Sequence, residues 1–263
     1  MIARWWQGLQ RRREARALRR HAIPDELWQA TLDRLPFIAL RPAMELERLR
    51  RMASLFLSRK EFSGARGFVV DDGIALAVAV QACLPVLELG LRCYDAFVGI
   101  VMHADVVVAR REVTDEDGIV HRYDEELAGE AMDGGPLMLS WADVLPDSDR
   151  DADGAAQAYN VVIHEFAHVL DMRDGVADGV PLLSDATARL AWLDVLMPAY
   201  DAFCERVVCG HDTVLDPYAA EAPDEFFAVA SEAFFVTSRA LKDEQPALYR
   251  LLGSYYRQDP AAY

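Results

Sequence analysis

Apolar residues recur at helical spacing in the N-terminal part of the chain. One run begins at Leu27 and a second occupies positions 46–56, and this spacing is typical of helices that are buried on one face. Pro24, Pro36 and Pro42 interrupt the runs, because proline does not continue a helix. The pattern therefore predicts several short helices before residue 60.

The middle of the chain changes from helical to extended spacing. Positions 74–91 are almost continuously apolar, but polar residues and a proline within them argue against a membrane span, so one or two buried helices are predicted. Apolar and β-branched runs that predict strands lie at positions 68–70, 98–108 and 136–141. Residues 113–135, rich in acids and glycine, predict a hairpin or an irregular loop, and residues 147–153 predict a polar loop.

Helical patterns return in the C-terminal part of the chain. A helix is predicted around residues 187–209, and a last pair of helices is predicted after Ala222. Helices at both ends around a small central sheet predict an α+β fold. We expect residues 1–62 to form an N-terminal helical extension and residues 63–263 to form one compact domain.

The charge distribution narrows the possible partners. The chain carries a net charge of −16, and seven of its first twenty residues are arginine, so the remainder is more acidic still. A body this acidic repels nucleic-acid phosphates, and no direct nucleic-acid binding is expected. The arginine-rich start is typical of the solvated face of a terminal helix, although contact with an acidic partner or a membrane surface stays open.

Neither export nor disulfide bonds are predicted. The early arginines are not followed by the apolar stretch of a secretion signal, so a cytoplasmic location is expected. The four cysteines form no CxxC pair. Ordinary reduced thiols are therefore expected, rather than a zinc knuckle or a redox motif.

Residues 164–168 read His-Glu-Phe-Ala-His, which is an HExxH motif. Histidines four residues apart lie on one face of a helix, so His164 and His168 can bind one metal ion, with Glu165 beside a water on that ion. Neutral imidazoles suit Zn²⁺, and a glutamate at this place suits a general base. The alternative is two helical histidines with hydrogen bonds of their own, but apolar surroundings make that arrangement costly without a metal.

A catalytic zinc site needs a third protein ligand, and Glu225 is the stronger candidate. Pro223 predicts a helix start here, where the helix dipole favours acids even without a metal. Glu232 lies two turns further on the same face of an apolar helix, and two buried carboxylates require a counter-charge, which zinc would supply. Asp171 continues the face of the two histidines and is a candidate to orient a histidine or a nearby arginine, with a solvated helix end as the alternative.

Four segments of the sequence resemble one known family. They are CLPVLELGLRCYDAF at 83–97, GPLMLSWADV at 135–144, HEFAHVLD at 164–171 and DPYAAEAPDEFFAVASEAFF at 216–235. Together they resemble the Mlc titration factor A family of gluzincin-like zinc metallopeptidases, and the resemblance runs from about residue 74 to residue 260. It implies a zincin-like metallopeptidase fold.

The resemblance implies a role for each position of the motif. The positions that match the family's zinc ligands are His164, His168 and Glu225. Glu165 matches its general base, which would take a proton from the attacking water. Tyr218 matches a tyrosine near the metal, an arrangement similar to that of the lethal factor toxin proteases, and would hydrogen-bond the oxyanion. One zinc ion is the implied cofactor, and packing within its own turn is the structural alternative for Tyr218.

The implied function is hydrolysis of peptide bonds, including aminopeptidase action on short peptides and a link to the regulation of sugar-uptake transcription. The alternative is a binding factor that sequesters a transcriptional repressor of the Mlc type, with peptidase activity secondary or absent. A structural zinc site is a third interpretation, but such sites usually close the fourth position with Cys or His. Strand 136–141 is expected to be the sheet edge that pairs with an extended substrate peptide.

Overall fold

The computed structural model describes residues 13–114, 120–132, 134–145 and 158–263, of which 13–20 are helical. The helices that follow are α1 (Asp25–Asp33), α2 (Pro36–Ala39), α3 (Ala43–Leu57), α4 (Asp72–Cys83), α5 (Trp141–Val144), α6 (Val161–Asp171), α7 (Ala186–Val208), α8 (Pro223–Val236), α9 (Ser238–Glu244) and α10 (Pro246–Tyr256). The strands are β1 (Glu61–Gly64), β2 (Gly99–His103), β3 (Val107–Thr114), β4 (Val120–Leu127), β5 (Gly129–Ala131) and β6 (Leu137–Ser140). The predicted polar loop at 147–153 lies outside the described residues.

The strands form two sheets. In the larger sheet the order is β1-β2-β6-β5, with β1, β2 and β6 parallel and β5 antiparallel to β6. Strands β3 and β4 pair with each other as an antiparallel hairpin. Helices precede and follow these strands along the chain, so the predicted combination of helices with a small sheet is confirmed.

The position of β6 contradicts one expectation. This strand corresponds to the strand predicted at 136–141, but it lies between β2 and β5, so both of its backbone edges are paired. The outer strand on that side of the described sheet is β5, which is too short to show an alternating pattern. The prediction that 136–141 is the substrate-pairing edge is therefore wrong.

The prediction of a strand at residues 68–70 is also wrong. The strand in this region is β1, which pairs in parallel with β2 along its whole length. Because β1 lies at an edge and its side chains are largely exposed, it carries no apolar signal. Residues 68–70 instead follow a 3₁₀ turn at Ala65–Gly67, and Val69 is 78% exposed.

Helix α4 is the buried helix that the central apolar run predicted. Asp71 caps it by accepting the N–H of Ile74 at 2.8 Å. Every residue from Leu76 to Cys83 is buried, as expected of a helix that is apolar all round. It packs against α3 and α6 and thereby connects the N-terminal helices to the rest of the core. Among the described residues, no helix combines the length and the apolar character that crossing a bilayer requires.

The C-terminal part contains three helices where a pair was predicted, and the long helix predicted before them is confirmed as α7. Helices α8, α9 and α10 are separated by breaks at Thr237 and Gln245. Helix α8 is buried along most of its length and packs against α6. Gln258, after the last helix, accepts a hydrogen bond from Arg41 at 2.9 Å. The division of the chain at residue 62 stays a prediction.

The loop between α6 and α7 fixes the start of α8 through Gly179. The Asp171 carboxylate accepts the N–H groups of Asp178 and Gly179 at 3.0 and 2.9 Å, and Trp192 donates its indole N–H to the Gly179 carbonyl at 3.0 Å. Gly179 has a φ of +77°, and a Cβ at this position would lie 2.4 Å from the carbonyl oxygen of Pro223. Only glycine allows so close a backbone contact, so this loop packs directly against the first turn of α8 and fixes its position.

Gly179→Ala should lower the free energy of unfolding more than the matched variant Gly175→Ala. Both glycines have positive φ, and alanine costs about 1 kcal/mol for that alone. A Cβ at Gly175 meets nothing within 4 Å. At Gly179, overpacking against Pro223 should add about 1–3 kcal/mol. Urea denaturation of both variants measures the difference, and equal losses would show that the contact with Pro223 is unimportant.

Candidate metal centre

The HExxH residues lie on α6, whose apolar side chains are buried. Asn160 caps the helix by accepting the N–H of Ile163 at 2.9 Å, which fixes its first turn. His164 and His168 lie one turn apart, with their Nε2 atoms 3.1 Å from each other. The two imidazoles therefore converge on one point.

Helix α8 brings Glu225 to the same point. Pro223 begins the helix, and Glu225 lies within its first turn. Glu225 Oε2 lies 3.1 Å from Nε2 of His164 and 3.4 Å from Nε2 of His168. The structure thus brings together three residues that the sequence singled out, two on α6 and one on α8, and their ligand atoms all lie within 4.8 Å of one another.

The geometry of these three atoms fits a tetrahedral metal ion. Bonds of about 2.0–2.1 Å place the ligand atoms of a tetrahedral zinc site about 3.3–3.4 Å apart. The three separations in this structure are 3.1, 3.1 and 3.4 Å. Glu225 Oε2 is buried without a hydrogen-bond partner, which is costly for a carboxylate unless a cation binds it. The residues present therefore fit a metal ion, and the point where these three atoms meet is called the metal position.

Glu232 holds His164 from the other side of its ring. Glu232 Oε1 accepts the Nδ1–H of His164 at 2.8 Å, and Oε2 accepts the backbone N–H of Asn160. In the neutral imidazole this bond holds the proton on Nδ1, so that Nε2 offers its lone pair on the side of Glu225 and His168. Helix α8 therefore supplies one carboxylate at the metal position and a second that orients an imidazole.

A buried chain of amides extends from Glu232 into the core, and the sequence analysis missed it. Asn160 donates through Nδ2 to Oε1 of Gln81 at 2.6 Å. Gln81 donates through Nε2 to the carbonyls of Ala77 and Val144 at 3.0 and 3.1 Å. The available signals were a lone amide inside an apolar helix and an asparagine directly before an apolar run.

The charges around His164 favour a cation at the metal position. Burial lowers the pKa of His164, but the adjacent carboxylates of Glu225 and Glu232 outweigh burial and raise this pKa well above its ordinary value. Burial raises the pKa of Glu225, but the two imidazoles beside its carboxylate reverse this effect and hold the pKa well below its ordinary value. For Glu232 burial prevails, and its pKa is raised despite the bond to His164. Positive charge is thus stabilised where the three ligand atoms meet, carried by a proton on His164 or by a metal ion in its place.

Glu165 lies beside the metal position and packs against strand β5. It is 5% exposed, and a Cβ on Gly129 would lie only 2.4 Å from its Oε1. Burial raises the pKa of Glu165, although both histidines oppose the shift. A carboxylate with a raised pKa suits a group that accepts a proton and then returns it. The sequence analysis also missed Gly129, because the contact that requires a glycine is with a distant helix.

The remaining two candidates have different surroundings. Tyr218 lies on the 3₁₀ turn Pro217–Ala220, is 42% exposed, and has its ring centroid 6.2 Å from that of His164. Asp171 is buried at the end of α6, where burial raises its pKa to about 6. Its Oδ2 accepts the two loop amides described above rather than a histidine N–H. Tyr218 therefore borders the metal position, whereas Asp171 holds the loop that seats α8.

A cavity of about 360 Å³ lies beside His164 and Glu165. Its lining residues are Leu127, Ala128, Gly129, Ala158, Tyr159, Val161, His164, Glu165, Asp216, Tyr218, Val229 and Glu232. This volume lies within the range of small-molecule binding sites, so the cavity offers room for part of a substrate next to the metal position.

Comparison with known proteins gives the relationships of this chain. Residues 9–257 match the family described as glucose-regulated metallo-peptidase M90. The uncharacterized protein slr2042 of Synechocystis is 38% identical over 236 residues, which cover 89% of this chain and 84% of that protein.

Several other relatives carry the name Mlc titration factor A. The protein from Pectobacterium atrosepticum is 34% identical over 240 residues, which cover 90% of this chain and 88% of the relative. The protein from Salmonella agona is 34% identical over 230 residues, which cover 86% and 84%. The resemblance found in the sequence is thus confirmed: the chain belongs to the glucose-regulated metallo-peptidase M90 family and is related to the Mlc titration factor A proteins.

Proposed function

We propose that this protein is a zinc-dependent peptidase with one zinc ion held by His164, His168 and Glu225. The observation that carries the proposal is the convergence of two Nε2 atoms and one buried carboxylate oxygen at the separations of a tetrahedral site. Membership of a metallo-peptidase family supports it. Three protein ligands leave the fourth position of a zinc ion open, which is typical of catalytic rather than structural sites.

The side chains around the cavity suit the hydrolysis of a peptide bond. When bound, a zinc ion supplies the Lewis acidity that activates water and polarises a carbonyl group. Glu165 accepts a proton from the attacking water and returns it to the amine that leaves when the C–N bond breaks. The hydroxyl of Tyr218 donates a hydrogen bond to the carbonyl oxygen as negative charge develops on it. Glu232 keeps the imidazole of His164 in its orientation throughout.

The outer edge of β5 is the proposed binding site for the substrate backbone. Strand β5 is the last strand on its side of the described sheet, and its first residue, Gly129, lines the cavity beside Glu165. An extended peptide can add to such an edge through backbone hydrogen bonds. The packing of α6 against this strand also supports the zincin-like fold that the resemblance implies.

Short peptides cleaved from their amino end are the substrates that the family resemblance suggests. Glu165, Asp216 and Glu232 line the cavity. Carboxylates in a cleft attract positive charge, including the ammonium group of a peptide. We include aminopeptidase action in the proposal on this ground.

A second candidate function is the binding of a transcriptional repressor of the Mlc type. The observation that favours it is the name of the relatives, Mlc titration factor A, one of which is 34% identical over 240 residues. The net charge of −16 suits a basic surface on a partner. Hydrolysis and repressor binding are compatible, because a protein partner is recognised over a surface much larger than this cavity.

Glu165→Gln should nearly abolish peptide hydrolysis while the protein keeps its zinc. The substitution removes the proton acceptor but none of the proposed ligands, so kcat/KM should fall roughly 10²–10⁴-fold. Metal analysis by mass spectrometry and turnover of a peptide library, before and after chelation, measure the two effects. Glu221→Gln, which changes an exposed glutamate just before α8, is the matched control.

Zinc-loaded wild-type protein that cleaves no library peptide would contradict the peptidase proposal, as would full activity of Glu165→Gln. Restored turnover on adding zinc to the chelated protein is the expected result. The same variant separates the two functions. An Mlc-type repressor that binds Glu165→Gln as tightly as wild type would be bound without any chemistry.

Gly129→Ala should reduce turnover far more than the matched variant Gly99→Ala in strand β2. A Cβ at Gly129 would meet the Glu165 carboxylate at 2.4 Å, whereas a Cβ at Gly99 meets Pro136 at 3.4 Å, an ordinary contact. A displacement of about 1 Å at the general base should lower kcat roughly 10²-fold. Zinc content should not change, because no proposed ligand moves. Equal kcat values for the two variants would show that β5 does not position Glu165.

A further inference from the structure

The cavity beside the metal position has an apolar floor contributed by the same two helices that carry the proposed ligands. Val161 lies on α6 one turn before His164 and Glu165, and Val229 lies on α8 between Glu225 and Glu232 on the same face. Both valines line the cavity, and they are 3% and 4% exposed. An apolar surface therefore begins one helical turn from the reacting groups.

Further apolar residues complete the wall of the cavity. Leu127 and Ala128, at the junction of β4 and β5, and Ala158, just before α6, also line the cavity. The volume of about 360 Å³ lies near the lower end of the range of small-molecule sites. This is enough room for one large side chain, whose transfer from water to an apolar wall is favourable.

Apart from His164 at the metal position, the charged groups that line the cavity are carboxylates. Among the described residues that line it, the carboxylates belong to Glu165, Asp216 and Glu232, and none of these lining residues is lysine or arginine. An acidic side chain that entered the cavity would lose water and meet these carboxylates, because the cationic position at His164 is already paired with Glu225 and Glu232. The cavity therefore disfavours Asp and Glu as well as small side chains that leave it unfilled.

We infer that this cavity binds one bulky, uncharged apolar side chain of the substrate, on a residue next to the peptide bond that is cleaved. The inference rests on the proposed function and adds the substrate class to it. Val161 and Val229 set the depth of the subsite, since each branched side chain stands on the floor of the cavity. Asp216 contributes to the rejection of acidic side chains.

Kinetics on a matched peptide series test this subsite. Zinc-loaded wild-type protein is assayed with fluorogenic peptides that differ only at one residue beside the cleaved bond, which is Ala, Leu, Phe, Trp or Asp, on either side of that bond. The kcat/KM for Leu or Phe at one of the two positions should exceed that for Ala and for Asp at least tenfold, about the discrimination expected from a few methylene groups in an apolar pocket.

Val161→Ala and Val229→Ala should each deepen the cavity and raise the ratio of kcat/KM for Trp over Leu about tenfold. Val80→Ala is the matched control, because Val80 is equally buried in a helix but does not line the cavity. The ratio of kcat/KM for Trp over Leu in Val80→Ala should equal that of the wild type. Zinc content, measured for every variant, should be unchanged.

Asp216→Asn provides a second variant that keeps the local structure. The Asp216 carboxylate accepts the N–H of Tyr218 at 2.9 Å, and an asparagine oxygen can accept the same hydrogen bond. Removing the charge should raise kcat/KM for the Asp peptide several-fold relative to the Leu peptide.

Metal-dependent hydrolysis without side-chain preference, or valine variants that behave like Val80→Ala, would overturn the subsite and leave the peptidase proposal intact. An unchanged ratio for Asp peptides in Asp216→Asn would also count against it. Absence of hydrolysis with every peptide, at full zinc occupancy, would overturn both.

Discussion

Two imidazoles and three carboxylates lie together between α6 and α8, and the need to balance their charge governs this part of the molecule. His164 has the carboxylate of Glu225 at one ring nitrogen and the carboxylate of Glu232 at the other. Buried ionisable groups in such density are costly unless a cation joins them. The ring nitrogens of the two histidines and one oxygen of Glu225 lie at separations that suit a tetrahedral ion, and the proposed zinc ion would account for their facing one another.

Keeping these atoms in place requires that two helices stay in register to within a fraction of an ångström. Glu232 ties α8 to α6 through His164 and through the backbone of Asn160. Asn160 in turn is tied to Gln81 in the buried helix α4. Gly179 seats the other end of α8 against the loop that follows α6. The rigidity of the proposed site thus comes from hydrogen bonds and close backbone contacts outside it.

The sequence predicted those parts of the site that obey local rules. The spacing of His164 and His168 follows from one helical turn, and Glu225 was recognisable from a helix start marked by Pro223 and from a family resemblance. The roles of Gly129 and Gly179 could not be predicted from the sequence. In each case the atom that leaves no room for a Cβ belongs to a residue that is distant in sequence. The same limit explains the errors in the sheet. An exposed strand such as β1 carries no apolar pattern, and strand order depends on tertiary packing that composition does not encode.

X-ray absorption spectroscopy at the zinc K-edge of the zinc-loaded protein tests the central claim most directly. The arrangement of His164, His168 and Glu225 predicts a first shell of nitrogen and oxygen atoms at about 2.0–2.1 Å, with the scattering of two imidazole rings behind it. A sulfur atom at about 2.3 Å would place the ion on one of the cysteines instead. That result, or a protein that takes up no zinc at all, would contradict the account.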